Sequence, residues 1–382
     1  MDAGVFTKSM AGRLTKTAGG NPAFVPGPAP RSLTLSSDAI ELLDEASNRI
    51  GVLKGIGHRF PNPTLMVGPY MRREAVLSSR IEGTQTTLSD VYAAEAEQLS
   101  LVSSGDVREV RNYLDAYQYG LRRLPTLPLS LRLICELHER LMRGVRGAAR
   151  EPGEFRSYQN FVGGMTERDA TYVGPPVPEM KRCLDDLDKF LNDRTSLRPL
   201  VQVAVMHYQF EAIHPFGDGN GRVGRLLMGL FLAERGLMPQ PLLYLSAYFE
   251  RSRKAYYDGL LRVSTHGDWD SWICYVLEGV RVQAEEAAGL ADRLLALQAR
   301  YREQLQNAHA TANALALVDA LFVNPIVTAR MAQNTLGVSN PTARATIRTL
   351  EDQGILREIT NRQWNKVYRA EELYAEIRGD QV

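Results

Sequence analysis

The stretch His214-Pro-Phe-Gly-Asp-Gly-Asn-Gly-Arg-Val-Gly-Arg225 gathers a histidine, a carboxylate, a glycine-rich turn and two arginines in one short segment. Gly219-Asn220-Gly221 precede a predicted helix, and residues that tolerate positive φ let successive backbone N–H groups turn toward one anion. The positive end of the helix dipole adds to that attraction. The stretch therefore predicts a binding site for phosphate groups.

Charged side chains next to the glycines suit a polyphosphate. Asp218 is placed to hold a magnesium ion that also binds the phosphates, since Mg²⁺ is often bound to protein through one or two carboxylates. Arg222 and Arg225 lie three residues apart on one face of the predicted helix, where both guanidinium groups can clamp phosphate charge. We therefore expect a magnesium nucleotide here.

His214 is the group of this stretch whose unperturbed pKa, about 6.5, suits a general base near neutral pH. A lone histidine before a proline is more often structural, and Phe216 by itself indicates a core residue. The joint occurrence of base, carboxylate, glycines and cations favours a functional site, because a structural loop needs none of these charges. The predicted chemistry is proton abstraction beside a polyphosphate.

Residues 219–224 also fit the GxGxxG pattern of dinucleotide-binding folds. That fingerprint requires a preceding strand in a βαβ unit, whereas this segment follows an amphipathic helix that ends at Pro215. A dinucleotide fold is therefore not predicted.

The chain has 382 residues, 44% of them hydrophobic, and a formal net charge of +1, so any affinity for nucleic acid must come from a local patch. No stretch approaches the roughly 20 uninterrupted apolar residues of a membrane span, and no apolar run follows the basic N-terminus. We expect no signal peptide and no membrane anchor. The three cysteines are far apart, which predicts reduced thiols buried in the core of a cytoplasmic protein: Cys135, Cys183 and Cys274.

Hydrophobic periodicity predicts a mainly α-helical chain. Residues 1–30 lack that period and are rich in glycine and proline, which predicts a flexible arm or extended strap. The other predicted units are an N-terminal helical region at 31–105, a catalytic core at 106–270, a connector helix at 271–310 and a C-terminal unit at 311–382. Helices are predicted at 64–81, 88–100, 106–123, 128–144, 178–192, 198–213, 222–235, 248–263 and 269–306.

Two features interrupt or extend this helical pattern. Gly163-Gly164 separates two short runs rich in aromatic and β-branched residues, which predicts a β-hairpin flap at about 157–173. The second half of the connector carries apolar residues three or four positions apart, which indicates either packing within the chain or the seam of a homodimer. These residues are Leu290, Leu294, Leu297, Tyr301 and Leu305.

From about residue 311 the predicted order is helix, short helix, turn, helix and two short strands, which resembles a winged helix-turn-helix. Arg344 and Arg348 would project from one face of its third helix toward a DNA major groove. Arg362 and Lys366 would touch phosphates from the wing. Acidic residues nearly neutralise the unit, so protein docking or a purely structural role is the alternative to DNA binding: Glu351, Asp352, Glu358, Glu371, Glu372 and Glu376.

The motif resembles the signature HxFx(D/E)GNGRxxR of the Fic (filamentation-induced-by-cyclic-AMP) family. Every fixed position is matched, by His214, Phe216, Asp218, Gly219, Asn220, Gly221, Arg222 and Arg225. Family members mostly transfer AMP from ATP to a hydroxyl side chain of a protein. The resemblance implies a Fic-type helical bundle, ATP as substrate and Mg²⁺ as cofactor.

The resemblance also implies roles for single residues. His214 would deprotonate the target hydroxyl, Asp218 would hold magnesium, and Arg225 would grip the γ-phosphate. The α- and β-phosphates would be cradled by Asn220 and the glycines around it, which are Gly217, Gly219 and Gly221. Tyr257, next to Tyr256, falls where the family has a tyrosine near the adenine, and a buried core pair is the alternative.

Ser78-Ser-Arg-Ile-Glu82-Gly83 is similar to the family's inhibitory pattern [S/T]xxxE[G/N]. Glu82 would pair with Arg225 and take the place of the γ-phosphate. A charge-assisted Arg–carboxylate bond is worth about 1.5 to 3 kcal/mol, enough to suppress ATP binding roughly ten- to a hundredfold. The hairpin is similar to the family's flap, which would receive a target peptide through Phe161, Val162 and Gly163; a hairpin that only covers the core is the alternative.

The resemblance thus predicts a protein adenylyltransferase that acts on Ser, Thr or Tyr of a target protein or of itself and is autoinhibited by Glu82. Two alternatives stay open. One is a DNA-binding transcriptional regulator whose Fic portion senses a nucleotide, and the other is a deAMPylase in which Glu82 orients a water. The intact His214 favours an enzyme, because a sensor needs the phosphate site but not the base.

Overall fold

The computed structural model of the protein describes residues 1–6, 11–59, 64–97, 105–145, 151–194, 197–238 and 241–379. Within these residues helices make up most of the chain, and the strands are two to five residues long. The mainly α architecture expected from the sequence is confirmed.

The N-terminal segment forms a short 3-10 helix and two antiparallel strands: Ala3–Phe6, β1 (Gly12–Lys16) and β2 (Pro22–Pro26). Phe6 and Phe24 are buried and pack with Tyr172. Of the two alternatives predicted for residues 1–30, the described part of this segment matches the extended strap and not the flexible arm. Gly12, Pro22 and Pro26 lie within the strands, and apolar side chains of those strands cover a small core.

The next helices are α1 (Ser37–Arg59), α2 (Thr64–Ile81), α3 (Leu88–Glu97), α4 (Gly105–Arg123) and α5 (Leu131–Leu141). The side chain of Ser130 accepts a hydrogen bond from the backbone N–H of Leu133 and caps the start of α5. Helix α2 packs against α4. It ends at Ile81, so Ser78 of the predicted inhibitory segment lies in its last turn and Glu82 follows directly after it.

Strands β3 (Phe161–Val162) and β4 (Tyr172–Val173) pair antiparallel, as the flap prediction requires. Gly163 and Gly164 follow β3 with positive φ angles of 67° and 94°, a conformation that favours glycine. The hairpin is confirmed as a structure, and its role in docking a target stays a prediction.

The central helices are α6 (Val177–Asn192), α7 (Pro199–Ile213) and α8 (Asn220–Glu234). The sequence predicts one inward stripe on α7, but almost every residue of this helix is buried. A helix that is apolar on all sides belongs in the interior. The end of α7 therefore brings His214 to the middle of the molecule.

The chain continues through α9 (Ser246–Arg251), α10 (Arg253–His266) and α11 (Trp269–Asn307). The single helix predicted at 248–263 is two helices. The hydroxyl of Ser252 donates to the carbonyl of Tyr248 at 2.7 Å and bonds the hydroxyl of Tyr275 at 2.8 Å. Such side-chain bonds compete with the helical backbone pattern, and the helix breaks at this serine.

The C-terminal elements are α12 (Ala312–Val323), β5 (Ile326–Thr328), α13 (Ala329–Leu336), α14 (Asn340–Asp352), β6 (Arg357–Glu358), β7 (Val367–Arg369) and α15 (Glu371–Arg378). The strands form an antiparallel sheet in the order β5-β7-β6. Thr328 and Ser339 cap α13 and α14 with their side chains, and Gly337 ends α13 in the left-handed region. The winged-helix assignment and the predicted domain boundaries stay predictions.

The apolar stripe on α11 is covered by the chain itself. Its five residues are at most 5% exposed, and this part of α11 packs against α12 and α15. The hypothesis of a dimer seam along these residues is therefore wrong, because no free stripe is left for a second copy.

The three cysteines are unpaired and partly buried; Cys135 and Cys183 pack against the hydrophobic core, whereas the core position predicted for Cys274 does not match the structure. Burial raises the pKa of Cys135 and of Cys183 to about 11, which keeps both as thiols. Among the described residues, no helix combines the length and apolarity needed to cross a bilayer. The cytoplasmic location stays a prediction.

Candidate active site

His214 stands at the junction between α7 and the motif loop. Its backbone is left-handed, with φ of 49°, and its N–H donates to the carbonyl of Phe210. Two side chains hold its own carbonyl: Nε of Arg156 at 2.9 Å and Nδ2 of Asn160 at 3.0 Å. The sequence did not single out either residue, since Arg156 and Asn160 lie more than 50 residues before His214 and meet the motif only in the fold.

The imidazole of His214 has a defined tautomer. Nδ1 lies 3.2 Å from the carbonyl oxygen of Glu211, which can only accept a hydrogen bond. Nδ1 therefore carries the proton, and Nε2 keeps a lone pair. Burial lowers the pKa of His214 to about 4, and the charge of Arg156 acts in the same direction. The side chain is neutral near pH 7 and able to accept a proton at Nε2.

The motif loop is held by its own asparagine. Oδ1 of Asn220 accepts from the N–H of Phe216 and its Nδ2 donates to the carbonyl of Phe216, each at 2.8 Å. The Asn220 amide is therefore engaged within the loop, and the predicted cradling of phosphate by Asn220 and the glycines around it stays a prediction. Asn220 acts on the site by fixing the loop, and its backbone N–H is what can face an anion.

His138 on α5 also contacts the motif loop. The sequence did not indicate this residue. Its ring stacks on Phe216 with centroids 3.7 Å apart. Nδ1 accepts from the N–H of Gly153, so Nε2 must be the donor to the carbonyl of Asp218 at 3.0 Å. Burial lowers the pKa of His138 to about 4, which keeps this tautomer neutral.

The first turn of α8 offers the predicted anion site. Gly219 precedes it with φ of 76°. Among the described residues, the backbone N–H groups of Asn220, Gly221 and Arg222 donate to no other group. These three donors and the helix dipole favour a phosphate at this helix end. Gly217 lies in the same loop and is partly exposed.

Asp218 has the chemistry that a magnesium nucleotide needs. Its Oδ1 accepts from the N–H of Gly219 at 2.6 Å, and its side chain is 38% exposed. Within the described residues no group of three or more His, Cys, Asp or Glu could hold a metal by itself. One carboxylate fits magnesium only if phosphate oxygens and water complete the shell, which is common for this ion.

The two arginines of the motif face different partners. Nη1 of Arg222 lies 3.0 Å from Oε2 of Glu109 on α4, and both side chains are at most 5% exposed. Arg222 is thus engaged in a buried ion pair, and its Nη2 also lies 3.7 Å from Oδ1 of Asp218; its predicted contact with phosphate stays a prediction. Arg222 secures α8 to α4, while Arg225 points to α2.

Arg225 is held by the end of α2. Its Nε donates to the hydroxyl of Ser78 and its Nη2 to the carbonyl of Ser78, both at 2.9 Å. Nη2 also lies 2.7 Å from Oε1 of Glu82. Gly83 follows with φ of 93° and turns the chain away. The segment predicted as inhibitory therefore meets the arginine predicted as its partner.

The charges of this contact reinforce one another. Burial alone would raise the pKa of Glu82, but the charge and hydrogen bond of Arg225, with Arg222 and His214, lower it on balance. Behind Arg225, burial raises the pKa of Glu211 to about 8. Glu82 is therefore ionised at neutral pH, and Glu211 is largely protonated.

Tyr256 and Tyr257 differ in exposure. Tyr256 is buried, and its hydroxyl bonds Nε2 of His207 at 2.8 Å. Tyr257 is 40% exposed, and the charges of Glu82 and Arg225 act on its pKa, which burial raises. The core alternative holds for Tyr256 alone, and Tyr257 lies beside the candidate site.

The flap is tied to the same region. The hydroxyl of Tyr172 donates to the carbonyl of Ala212 at the end of α7 at 2.7 Å. Phe161 is partly buried, whereas Val162 and Gly163 are exposed. The open side of β3 is therefore available at the flap, next to the turn of Gly163-Gly164.

Two protein-family models match the part of the chain that contains these features. Residues 40–122 match the family model described as Fic/DOC family N-terminal, and residues 128–232 match the model described as Fic/DOC family. The chain is 30% identical over 154 residues to the protein adenylyltransferase Fic of Drosophila grimshawi, a match that covers 40% of this chain and 29% of the relative. The Aedes aegypti protein of that name is 31% identical over 152 residues, 39% of this chain and 27% of the relative.

Solved structures agree in fold. A Fic family protein from Desulfovibrio desulfuricans G20 superposes with a TM-score of 0.58 at 24% identity, covering 90% of this chain and 98% of that one. Fic-1 (residues 134–508) from C. elegans gives 0.51 at 22% identity, covering 67% and 73%. Over residues 40–122 and 128–232, the chain belongs to the Fic/DOC family.

Proposed function

We propose that this protein transfers AMP from ATP to a hydroxyl side chain of a target protein. The observation that carries the proposal is the neutral His214, whose Nε2 is free to accept a proton close to the unbonded N–H groups that start α8. A base next to an anion site is what transfer of a phosphate-linked group requires. The relatives named protein adenylyltransferase support the same chemistry, although the match covers less than a third of their length.

In the proposed reaction, Nε2 of His214 takes the proton of the target hydroxyl while the hydroxyl oxygen attacks the α-phosphorus. The bond from that phosphorus to the bridging oxygen breaks, and pyrophosphate leaves. The N–H groups of residues 220–222 hold the phosphates, and Asp218 would hold a magnesium ion, which would neutralise part of their charge. Arg225 binds the γ-phosphate once it is released from Glu82.

We infer further that Glu82 restrains the reaction. Its carboxylate pairs with Arg225, and Ser78 engages two more donors of the same guanidinium. Loss of one charge-assisted bond of about 1.5 to 3 kcal/mol corresponds to roughly ten- to a hundredfold in ATP binding. The restraint would thus be released when the end of α2 moves away.

The test uses ATP labelled at the α-phosphate and the full-length protein with magnesium, alone and with lysate. We expect label on protein, increased at least about tenfold in Glu82→Gly. Glu82→Gln is the matched control that keeps the volume and removes the charge, and it should be activated too. Label from the γ-phosphate should not be transferred. Absence of transfer from the wild-type and Glu82→Gly proteins, both to themselves and to lysate, would refute the proposal.

Two variants separate the roles within the site. His214→Ala in the Glu82→Gly background should abolish transfer and leave ATP affinity nearly unchanged. Arg225→Ala in the same background should weaken ATP binding. If His214→Ala weakened ATP binding and Arg225→Ala abolished transfer without changing ATP affinity, the proposed roles of the two residues would be contradicted.

Removal of AMP is the second candidate activity. Oε1 of Glu82 binds Arg225, and the Glu82 side chain is still 33% exposed, so its other oxygen can orient a water. Incubation of a modified target with the wild-type protein would detect this activity as released AMP. In that case Glu82→Gly should stop release rather than accelerate transfer.

A further inference from the structure

A groove of about 850 Å³ lies between α13, α14 and the turn that joins β6 to β7. None of the residues assigned to the nucleotide site or the flap line it. Its lining carries five cationic side chains and one carboxylate: Arg330, Arg344, Arg348, Arg362, Lys366 and Glu351. The groove is thus a separate, positively charged feature of the C-terminal unit.

Three arginines of the groove are available to a ligand. Arg344 and Arg348 are exposed and one turn apart on α14, and Arg330 is exposed on α13. In the part of the chain that the structure describes, none of the three forms an ion pair. Lys366 differs, because its Nζ lies 2.9 Å from Oε2 of Glu358. The cationic surface is therefore centred on α14, with the β6–β7 turn beside it.

Three acidic residues of the unit lie on the side that packs against α11, away from the groove. They pair with arginines of α11: Asp319 with Arg302 at 2.6 Å, Glu376 with Arg293 at 2.7 Å, and Glu372 with Arg300. These three carboxylates therefore do not neutralise the arginines of the groove. The acidic groups at the groove itself are Glu351 in its lining and Glu358, which pairs with Lys366.

The remaining groups of the groove suit a nucleic acid. Four amide side chains line the groove together with the cations, and Trp364 in the turn between β6 and β7 is 73% exposed. Arginine and asparagine side chains on a helix are the usual readers of base edges in the major groove. Cations on an adjacent turn contact phosphates. The lining amides are Asn334, Asn340, Gln363 and Asn365.

We propose that this groove binds double-stranded DNA, with α14 in the major groove and the β6–β7 turn against the phosphate backbone. The binding is independent of the nucleotide site. The two strands of a DNA duplex carry regularly spaced phosphates, which can contact the cations of the helices and of the β6–β7 turn at the same time. A small anion would contact only one of these two groups of cations.

The test is a fluorescence anisotropy titration of a labelled random-sequence duplex with the full-length protein over a salt series. We expect binding at about 50 mM salt that weakens steeply toward about 200 mM, because counterions are released. Arg344→Ala/Arg348→Ala should weaken binding at least about tenfold. It should also lower the slope of log K against log salt by about 0.9 for each phosphate that the variant no longer neutralises.

Arg122→Ala/Arg357→Ala removes the same charge from exposed positions outside the groove and should leave affinity and slope nearly unchanged. Thermal melting of both double variants checks that they are folded. Absence of binding at the lowest salt, or equal losses in the two double variants, would overturn the proposal. So would stronger binding of a single-stranded RNA or an acidic peptide in competition with the duplex.

Discussion

Oε1 of Glu82 lies against Gly221, so close that a Cβ at position 221 would stand 2.2 Å from it. Gly221 is in the first turn of α8, where the N–H groups of residues 220–222 are unbonded within the described chain. The carboxylate therefore sits at the entrance to the candidate phosphate site. An inhibitory anion and a substrate anion would compete for one small volume.

Gly221→Ala should exclude both anions, because its Cβ would lie where the Glu82 carboxylate approaches. In the Glu82→Gly background, where the carboxylate is gone, we expect Gly221→Ala still to weaken ATP binding at least about tenfold by calorimetry. Gly289→Ala on α11 is the control, since its Cβ would meet only the end of the Arg293 side chain, at 3.4 Å. Unchanged ATP affinity in the Gly221 variant would show that phosphate does not approach here.

Glu82 should contribute stability that depends on pH. Its pKa is lowered in the folded state, so the contribution is present above the unfolded pKa and is lost as pH falls through the folded pKa. The difference in unfolding free energy between wild type and Glu82→Gln should therefore be constant near neutral pH and shrink in acid below the ordinary range of glutamate. Urea unfolding at several pH values measures it, with exposed Glu41→Gln as control. A difference that grows in acid would contradict the ion pair.

Three histidines with lowered pKa values should make the protein sensitive to mild acid. Burial lowers the pKa of His138 and His214 to about 4 and of His207 to about 3. The unfolded chain takes up these protons near pH 6.5, so the unfolding free energy falls as pH drops from there toward 4. His207→Gln should reduce that slope by about 1.4 kcal/mol per pH unit. An unchanged slope would mean that His207 is protonated in the folded protein.

Arg156 should be needed to position His214. Its guanidinium donates to the carbonyls of His214, Tyr158 and Pro175, and it is 2% exposed. Arg156→Ala removes all three bonds and leaves the His214 carbonyl with Asn160 alone, so we expect a loss of about 3 kcal/mol in unfolding free energy, measured by urea unfolding. At temperatures below the melting range of the variant, AMP transfer should fall while ATP affinity changes little.

Arg168→Ala, an exposed arginine of the flap turn, is the control for Arg156. Arg156→Lys should restore little of the stability, because a lysine cannot bridge three carbonyls in fixed directions. Equal stability of the alanine and wild-type proteins would refute the anchoring role.

Val162 should matter for the protein target and not for ATP. It is 37% exposed in β3, where an added strand would pair with the flap. We expect Val162→Asp to lower transfer to a protein at least about tenfold, since a charge replaces an apolar contact. Val52→Asp on α1, also exposed, is the matched control. If both variants transferred AMP to the protein target equally well, the docking role would be refuted and the flap would only cover the core.

The sequence identified the helices and the motif because both depend on local order. Periodicity located α2, α4 and α11 within a residue or two, and the glycines before α8 indicated its N-terminal anion site. The same reasoning left residues 1–30 open between a flexible arm and an extended strap, since glycine and proline occur in both. Only the partners of Phe24 decide between the two.

The tertiary structure decided which charged side chains form ion pairs. The spacing of Arg222 and Arg225 suggested one shared ligand, yet α4 supplies Glu109 to the first and α2 supplies Glu82 to the second. Arg156 and His138 support the motif from distant parts of the chain, so no local pattern marks them. Sequence by itself determined the chemical groups of this site, because they lie in one loop, and the fold determined their protonation and pairing, because burial and neighbours come from elsewhere in the chain.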